Sequence, residues 1–422
     1  MFGVKKYLYR LLVLITIVGI GWRVYVLGYS DVLVGSFAET KGVEVYKKSY
    51  SLDDRNLGAV FKLATDHHSK GEYEASNSYL LEALNIDPSY GRATGLLLSN
   101  FSKLRSEKQA QRVAYFSSKL WPAHSYVRSH LLDYWLLQDN KPKIFEELNV
   151  LLTRNPNLRK SIYPTLDIWA KGDQLKLLFS PYILSPPKWW DSYFSHLSYQ
   201  KNNLSELEYF YHERLKSNVS LSEYEIKLMT RRLIREKKWA EAHQVWLNGL
   251  PSNIKKYNKI LFDGGFESGL HNDPFSWRLS KSKIFKADIA SSYGIKGRKA
   301  LHLKFKRKKQ INFRHIVQKT VIPSGKYTLN MKVRIDSTIG EKGLKWRLRC
   351  VGKRSSIIGE TESFTVRKSW HDIVTPIEVP QDDCEAQELR LEATSEYAHY
   401  QVFSGSLWFD DIKIESREES ND

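Results

Sequence analysis

The sequence predicts a multi-domain α + β protein with an N-terminal transmembrane helix, a helical-repeat solenoid and a C-terminal antiparallel β-sandwich. Three observations predict it. A basic N-terminus runs into a long apolar stretch. Prolines recur at Pro88, Pro122 and Pro156, 34 residues apart. From about residue 256 the apolar period changes from helical to alternating.

At the N-terminus, Lys5, Lys6 and Arg10 precede the apolar run Leu11 to Trp22, and after Arg23 the chain continues from Val24 to Tyr29. Taken as one span, residues 7–29 reach the ~20 residues that a bilayer requires. Arg10 and Arg23 stand near its ends, where long basic side chains can snorkel. The positive cluster precedes the span, so the N-terminus should stay cytoplasmic and the rest be exported. Residues 1–30 are therefore read as a signal-anchor in the cytoplasmic membrane, and 31–56 as a linker or entry helix. A cleaved signal peptide is the alternative, but the nearest small-x-small pattern, Ser36-Phe37-Ala38, lies far downstream. A buried helix is the third reading.

The 422 residues carry a formal net charge of +18, which points to an acidic partner or surface. Export argues against nucleic acid and leaves an anionic membrane face or an acidic polysaccharide. The two cysteines, Cys350 and Cys384, make a disulfide the expectation for an exported chain. Two free buried thiols would be the reading in a reducing compartment.

In the middle of the chain, the first 34-residue unit holds Leu63, Ala64, Gly71, Tyr73, Ser76, Ala83, Leu84, Asp87 and Pro88. Small residues at Ala64, Ser76 and Ala83 let two helices approach, Gly71 breaks the chain between them, and Pro88 stops the second. The next unit keeps Ala110, Ala114, Trp121 and Pro122; the third keeps Leu148, Leu151, Asn155 and Pro156. Residues 57–158 thus resemble a tetratricopeptide array, and 159–255 read as degenerate helical repeats ending in Trp239, Ala242 and Trp246. That resemblance implies a surface for docking protein partners; a plain spacer is the competing reading. Trp189-Trp190 and Tyr209-Phe210-Tyr211 are at helical spacing and are assigned to core.

Alternation marks the strands at 300–305, 327–335, 344–350 and 388–393, with turns at Pro323-Ser324-Gly325, Gly340 and Pro380. The sandwich is assigned to 256–416 and a disordered tail to 417–422. Two segments bracket it: Leu261-Phe262-Asp263-Gly264-Gly265-Phe266-Glu267 and Leu407-Trp408-Phe409-Asp410-Asp411-Ile412. With the strand at 297–303, Gln318, the 323–329 segment and Trp370, they resemble jelly-roll carbohydrate-binding modules of xylanases and cellulases. The whole arrangement, with Pro186-Pro187, Trp189-Trp190 and Trp239-Ala240-Glu241-Ala242, is similar to membrane-anchored tetratricopeptide proteins of bacterial exopolysaccharide systems.

The first resemblance implies a structural calcium held by Glu267 with Asp410 or Asp411 and backbone carbonyls. Solvated acidic side chains in a turn are the alternative, and a glycosidase pair is set aside because nothing else suggests a catalytic cleft. It also implies sugar binding through aromatic side chains. The candidates are Trp277 and Tyr293, in loop contexts, and Trp370; Trp346 is assigned to core, and the side taken by Trp408 stays open. Lys306, Arg307, Lys308 and Lys309 sit in a basic run without an acidic residue and are candidates for capturing acidic polysaccharide, or else a solvated loop at a strand edge.

Phosphate-loop, His-Glu-x-x-His and Gly-x-Ser-x-Gly patterns are absent from the sequence, and His67-His68 reads as surface. The expected function is a non-catalytic, membrane-anchored accessory protein of polysaccharide assembly or export, requiring no cofactor; the calcium that the resemblance implies is an optional structural ion. The alternative is a protein-interaction scaffold that binds no sugar.

Overall fold

The computed structural model of the chain describes residues 2–36, 42–271, 273–337, 339–352, 356–364 and 367–417. Phe37 and Ala38, and the tail expected at 418–422, lie outside the described residues. The chain divides into two compact units, one of residues up to 182 with 186–190, the other of 183–185 with 191 onward.

In the first unit, α1 (Phe2–Ser36) contains the apolar span Tyr7–Gly35, whose most apolar 18-residue window has mean hydropathy 2.0 and no buried residue. It is long and apolar enough to cross a membrane. The last turns of the span dock. Ser30 is buried, bonds the Ser49 hydroxyl at 2.8 Å and accepts from Asn56 Nδ2 at 3.0 Å. Asn56 also caps the third helix by accepting from Ala59 N.

After α2 (Val43–Leu52), helices come in pairs: α3 (Leu57–Ser69) with α4 (Tyr73–Ile86), α5 (Gly91–Lys103) with α6 (Glu107–Leu120), and α7 (Ser125–Leu137) with α8 (Lys141–Arg154). Together with α9 (Arg159–Lys171), the odd-numbered helices start at 57, 91, 125 and 159, each 34 residues after the last. Each proline of the register stands two residues past the end of an even-numbered helix, where it cannot continue the helix. Ala64, Ala83, Ala110 and Ala114 are buried where helices meet. At Gly91 a Cβ would come within 2.9 Å of the Trp121 ring. Arg128 and Glu147 form a buried ion pair at 2.8 Å across α7 and α8, and Arg128 also donates to the carbonyls of Pro122 and Ser118. Trp189 and Trp190 are buried, as their spacing indicated.

Short α10 (Asp173–Lys176) and α11 (Ser180–Leu184) precede α12 (Trp190–Tyr199), α13 (Leu204–Leu215), α14 (Glu223–Arg235), α15 (Trp239–Asn248) and α16 (Ser252–Lys255). A capping box of Ser222 and Glu225 starts α14. The compact-unit boundary falls near residue 190, so the last helices lie in one unit with the strands that follow 256. The reason is packing: Trp246 of α15 lies 5.1 Å from Phe262 and 5.6 Å from Phe275, ring centre to ring centre, so these helices share a core with the sandwich.

Among the described residues the sandwich has ten strands: β1 (Arg278–Leu279), β2 (Phe285–Ser291), β3 (Lys299–Phe305), β4 (Ile316–Thr320), β5 (Gly325–Ile335), β6 (Leu344–Cys350), β7 (Ile357–Glu360), β8 (Arg367–Val379), β9 (Gln387–Ala393) and β10 (Ser406–Ser416). They form two antiparallel sheets ordered β1-β4-β9-β6-β7 and β2-β3-β10-β5-β8. Alternation sends Leu329, Met331 and Val333 of β5 and Leu344, Trp346 and Leu348 of β6 into one core between the sheets. Cys350 and Cys384 are joined by a disulfide.

Candidate functional site

The two bracketing segments meet. In β10, Phe409 and Asp410 are both buried although consecutive strand residues should face opposite ways. A β-bulge is the cause: the pairing with β5 slips between Asp410 and Lys413, and Asp411 takes φ 49°. An aspartate tolerates that left-handed conformation better than a branched residue. Against the bulge lies Gly264, whose carbonyl accepts from Ile412 N at 2.9 Å; a Cβ there would fall 1.7 Å from the Ile412 carbonyl oxygen. Asp263 closes the turn, its carboxylate accepting from the backbone N–H groups of Glu267 and Ser268 and from the Ser268 hydroxyl. Gln318 exchanges two hydrogen bonds with the backbone of Phe262.

Asp410 is 2 % exposed. Burial pushes its carboxyl up to about 6; the neighbouring carboxylates of Asp411 and Glu267 push the same way, and the N–H groups of Asp411 and Lys296 resist. It forms no ion pair among the described residues; Lys332, opposite in register, is bound to Asp372 at 2.9 Å. Glu267 Oε1 accepts from Arg298 N and Lys299 N at 2.8 and 2.9 Å. Gly297 makes room for it, since a Cβ there would be 2.3 Å from that oxygen.

Glu267 and Asp410 bring two carboxylates to the joint between the opening segment and β10, one of them buried without a counter-charge. The Asp411 carboxylate lies 3.8 Å from Lys413 Nζ. Among the described residues no group of three or more His, Cys, Asp or Glu side chains could hold a metal ion. Backbone carbonyls would have to complete any such shell.

The aromatic candidates separate. Trp277 is a correction: it is 2 % exposed, packs on Phe266 and Trp346, and donates from Nε1 to the Asp263 carbonyl at 3.0 Å. It pins the opening segment from inside and cannot reach a ligand. Tyr293 is 93 % exposed on the turn between β2 and β3, and its carbonyl accepts from Trp370 Nε1 at 2.8 Å. Trp346 is core.

Trp408 faces outward, and it organises the surface. Cross-strand register places Asp288 (β2) opposite His302 (β3), His302 opposite Trp408 (β10), and Trp408 opposite Arg334 (β5). The His302 and Trp408 rings stack with centres 4.0 Å apart. The Arg334 guanidinium sits 4.9 Å from the Trp408 ring centre and 5.2 Å from that of Trp370 on β8. One row of half-buried side chains thus crosses the sheet, Asp288–His302–Trp408–Arg334–Trp370. Asp336 braces it, accepting from Trp408 Nε1, Ser406 Oγ and Arg334 Nε. Burial works against the Asp336 charge, but these bonds and Arg334 outweigh it and hold the carboxyl below its ordinary value. Burial lowers His302, against the pull of Asp288 and Asp336, and so favours its neutral form.

Sequence reasoning missed His302 and Arg334. Alternation marked both as outward positions, but their meeting depends on register. Beside the row, Lys286 and Lys304 oppose each other on exposed positions of β2 and β3. Lys306, Arg307, Lys308 and Lys309 follow as an exposed loop whose first two N–H groups donate to the Ile284 carbonyl. On the opposite sheet, Arg347, Arg349 and Arg390 converge on Glu392; burial opposes its charge, but their bonds pull the carboxyl down to about 2. That cluster is internally paired.

No protein-family model matches the chain, and no curated protein does. Among solved structures, the chain is similar to one described as "CBM4 structure and function" at 16 % identity, over 37 % of this chain and 99 % of that one, with a TM-score of 0.28. It is also similar to the N-terminal CBM22-1-CBM22-2 tandem domain of Paenibacillus barcinonensis Xyn10C (16 % identity, 38 % and 50 % of the two chains, TM-score 0.29). A third is the MamA protein (14 % identity, 47 % and 97 %, TM-score 0.29). With identities and scores this low, no functional argument rests on them.

Proposed function

We propose that the protein is a non-catalytic, membrane-anchored accessory factor of bacterial polysaccharide assembly or export, which binds acidic glycan on the outer face of the β2-β3-β10-β5-β8 sheet. The observation that carries this reading is the row His302–Trp408–Arg334–Trp370. Aromatic edges and hydrogen-bonding groups at a solvent-accessible sheet face suit the mixed apolar and hydroxyl character of a sugar. Lys304 beside the row supplies attraction for carboxylates, whereas Lys286 is paired with Asp288 at 2.6 Å. Calcium at Glu267 and Asp410 would supply a fixed double positive charge that ties the opening segment to β10.

Retention of α1 as the anchor, with the bulk of the chain in the periplasm, is supported by the buried Ser30–Ser49–Asn56 contacts, which cleavage near residue 38 would remove. The 34-residue helix register supports docking of protein partners through tetratricopeptide-like repeats. The scaffold alternative draws on the burial of Trp277 and Trp346 but gives no role to the outward Trp408 and Trp370. The test is calorimetric titration of the full chain in neutral detergent with polygalacturonate and with a neutral galactan. Binding of the acidic polymer should weaken in Trp408→Ala and Trp370→Ala chains of unchanged fold. Equal binding by wild type and both variants, or none by wild type, would refute the sheet-face reading.

A further inference from the structure

A second basic surface lies on the same compact unit, away from the aromatic row. It is a cavity of about 410 Å³ between α14 and the edge of the other sheet, a size usual for small-ligand sites (about 300–1,000 Å³). On α14, Leu228, Arg231 and Arg235 share one face at i, i+3, i+7 spacing. The sheet contributes Arg278 of β1 and Lys319 of β4, Pro274 comes from the loop before β1, and Tyr199 ends α12 beside them.

Four cations line this cavity and no carboxylate does. Arg235 donates to the Ser198 carbonyl and lies 5.0 Å from the Tyr199 ring centre. Lys319 lies 5.2 Å from the Trp239 ring centre. Register sets Lys319 opposite Glu388, but Glu388 lies 3.4 Å from Arg390. Arg231 and Arg278 are exposed, and their side chains make no hydrogen bond or ion pair with any described residue. The contrast with the other sheet's arginines is direct: those converge on Glu392, whereas these face an open cavity with their charge unanswered. Like charges gathered without an acid repel one another, so an anion entering between them gains attraction and relieves that repulsion.

We propose that this cavity binds a carboxylated oligosaccharide. Arg231, Arg235, Arg278 and Lys319 would take the carboxylates, and the apolar lining of Leu228, Ile234 and Pro274 the C–H faces of the sugar rings. A bare oxyanion would make no use of that apolar lining, which is why the shared anion chemistry is assigned to a sugar acid. The saccharide class rests on the proposed glycan function, while the preference for anions rests on the cavity alone.

The experiment uses the full chain in neutral detergent carrying Trp408→Ala and Trp370→Ala, so that the sheet face is disabled. Trigalacturonate, neutral galactotriose and inorganic phosphate are each titrated by calorimetry. Trigalacturonate should still bind this chain, more weakly as salt rises from about 0.05 to about 0.5 M, and galactotriose should bind far less. Adding Arg231→Gln and Arg278→Gln should weaken trigalacturonate at least about tenfold, one lost charged contact or more. Both arginines are exposed, and unchanged circular dichroism and unfolding midpoint exclude misfolding. The proposal is overturned if trigalacturonate does not bind the disabled chain, if the arginine pair has no effect, or if phosphate binds as tightly. If wild-type binding of polygalacturonate is lost with the tryptophans and untouched by the arginine pair, the sheet-face reading stands and the cavity proposal falls.

Discussion

Asp410→Asn tests the clasp. The carboxyl is buried at the bulge and raised from 3.8 to about 6, which corresponds to about 3 kcal/mol held against its ionised form. The sign follows from linkage. A raised carboxyl means the folded chain binds its proton more tightly than the unfolded chain, so this group's contribution falls as pH climbs from about 4 to about 6 and stays low above that. Without divalent metal at pH 7.5, replacing the charge by a neutral amide of the same shape should stabilise the sandwich by ~1–3 kcal/mol. The lower bound allows for imperfect acceptance from the N–H groups of Asp411 and Lys296. With saturating calcium the order should reverse, because wild type gains binding energy that grows as RT ln(1 + [Ca]/Kd) and the variant loses a ligand.

The assay is hydrogen exchange of β10 peptides by mass spectrometry in increasing urea, from about pH 4 to 7.5, in chelator and in calcium. The reasoning is refuted if Asp410→Asn in chelator is less stable than wild type at pH 7.5 and wild type shows no decline between pH 4 and 6. A wild type whose β10 protection ignores calcium would refute the metal while leaving the buried-charge argument intact.

Gly264→Ala would put a Cβ 1.7 Å from the Ile412 carbonyl oxygen; it should cost roughly 3 kcal/mol or more, read as loss of the sandwich unfolding transition at moderate urea. Breaking the buried pair by Glu147→Gln should destabilise the first unit by about 3–5 kcal/mol, whereas Arg128→Met with Glu147→Leu should cost far less; thermal unfolding of the three chains distinguishes them. Removing the disulfide by Cys350→Ala with Cys384→Ala frees a 34-residue separation and should cost about 3–4 kcal/mol, seen as a lower urea midpoint for the sandwich.

Much of the fold was legible because its signals are local. The proline register gave the helix pairs: Pro88, Pro122 and Pro156 each follow a helix end by two residues. Alternation in 327–335 and 344–350 separated core from surface correctly, including Trp346. The site was legible in part. The acidic residues of both bracketing segments are visible in the sequence, but the burial of Asp410 beside a half-buried Asp411 depends on a bulge that no period reveals. Trp277 was misplaced because a loop context was taken for exposure, whereas its indole is drawn inward by the Asp263 carbonyl, Phe266 and Trp346. The boundary near residue 256 marked a change of secondary structure and not of compact unit, since Trp246 closes the gap.

The sequence by itself determined the apolar helix at the N-terminus, the 34-residue helical step and the two-faced strands, because each is a repeat along the chain that neighbouring residues suffice to define. Tertiary structure decided what meets. His302, Arg334, Trp370 and Trp408 come from four strands up to about a hundred residues apart, and they form one row because β10 inserts between β3 and β5 in a particular register. The cavity of Arg231, Arg235, Arg278 and Lys319 likewise exists because α14 packs beside β1 and β4. Period fixes which way a side chain points; pairing fixes what it points beside.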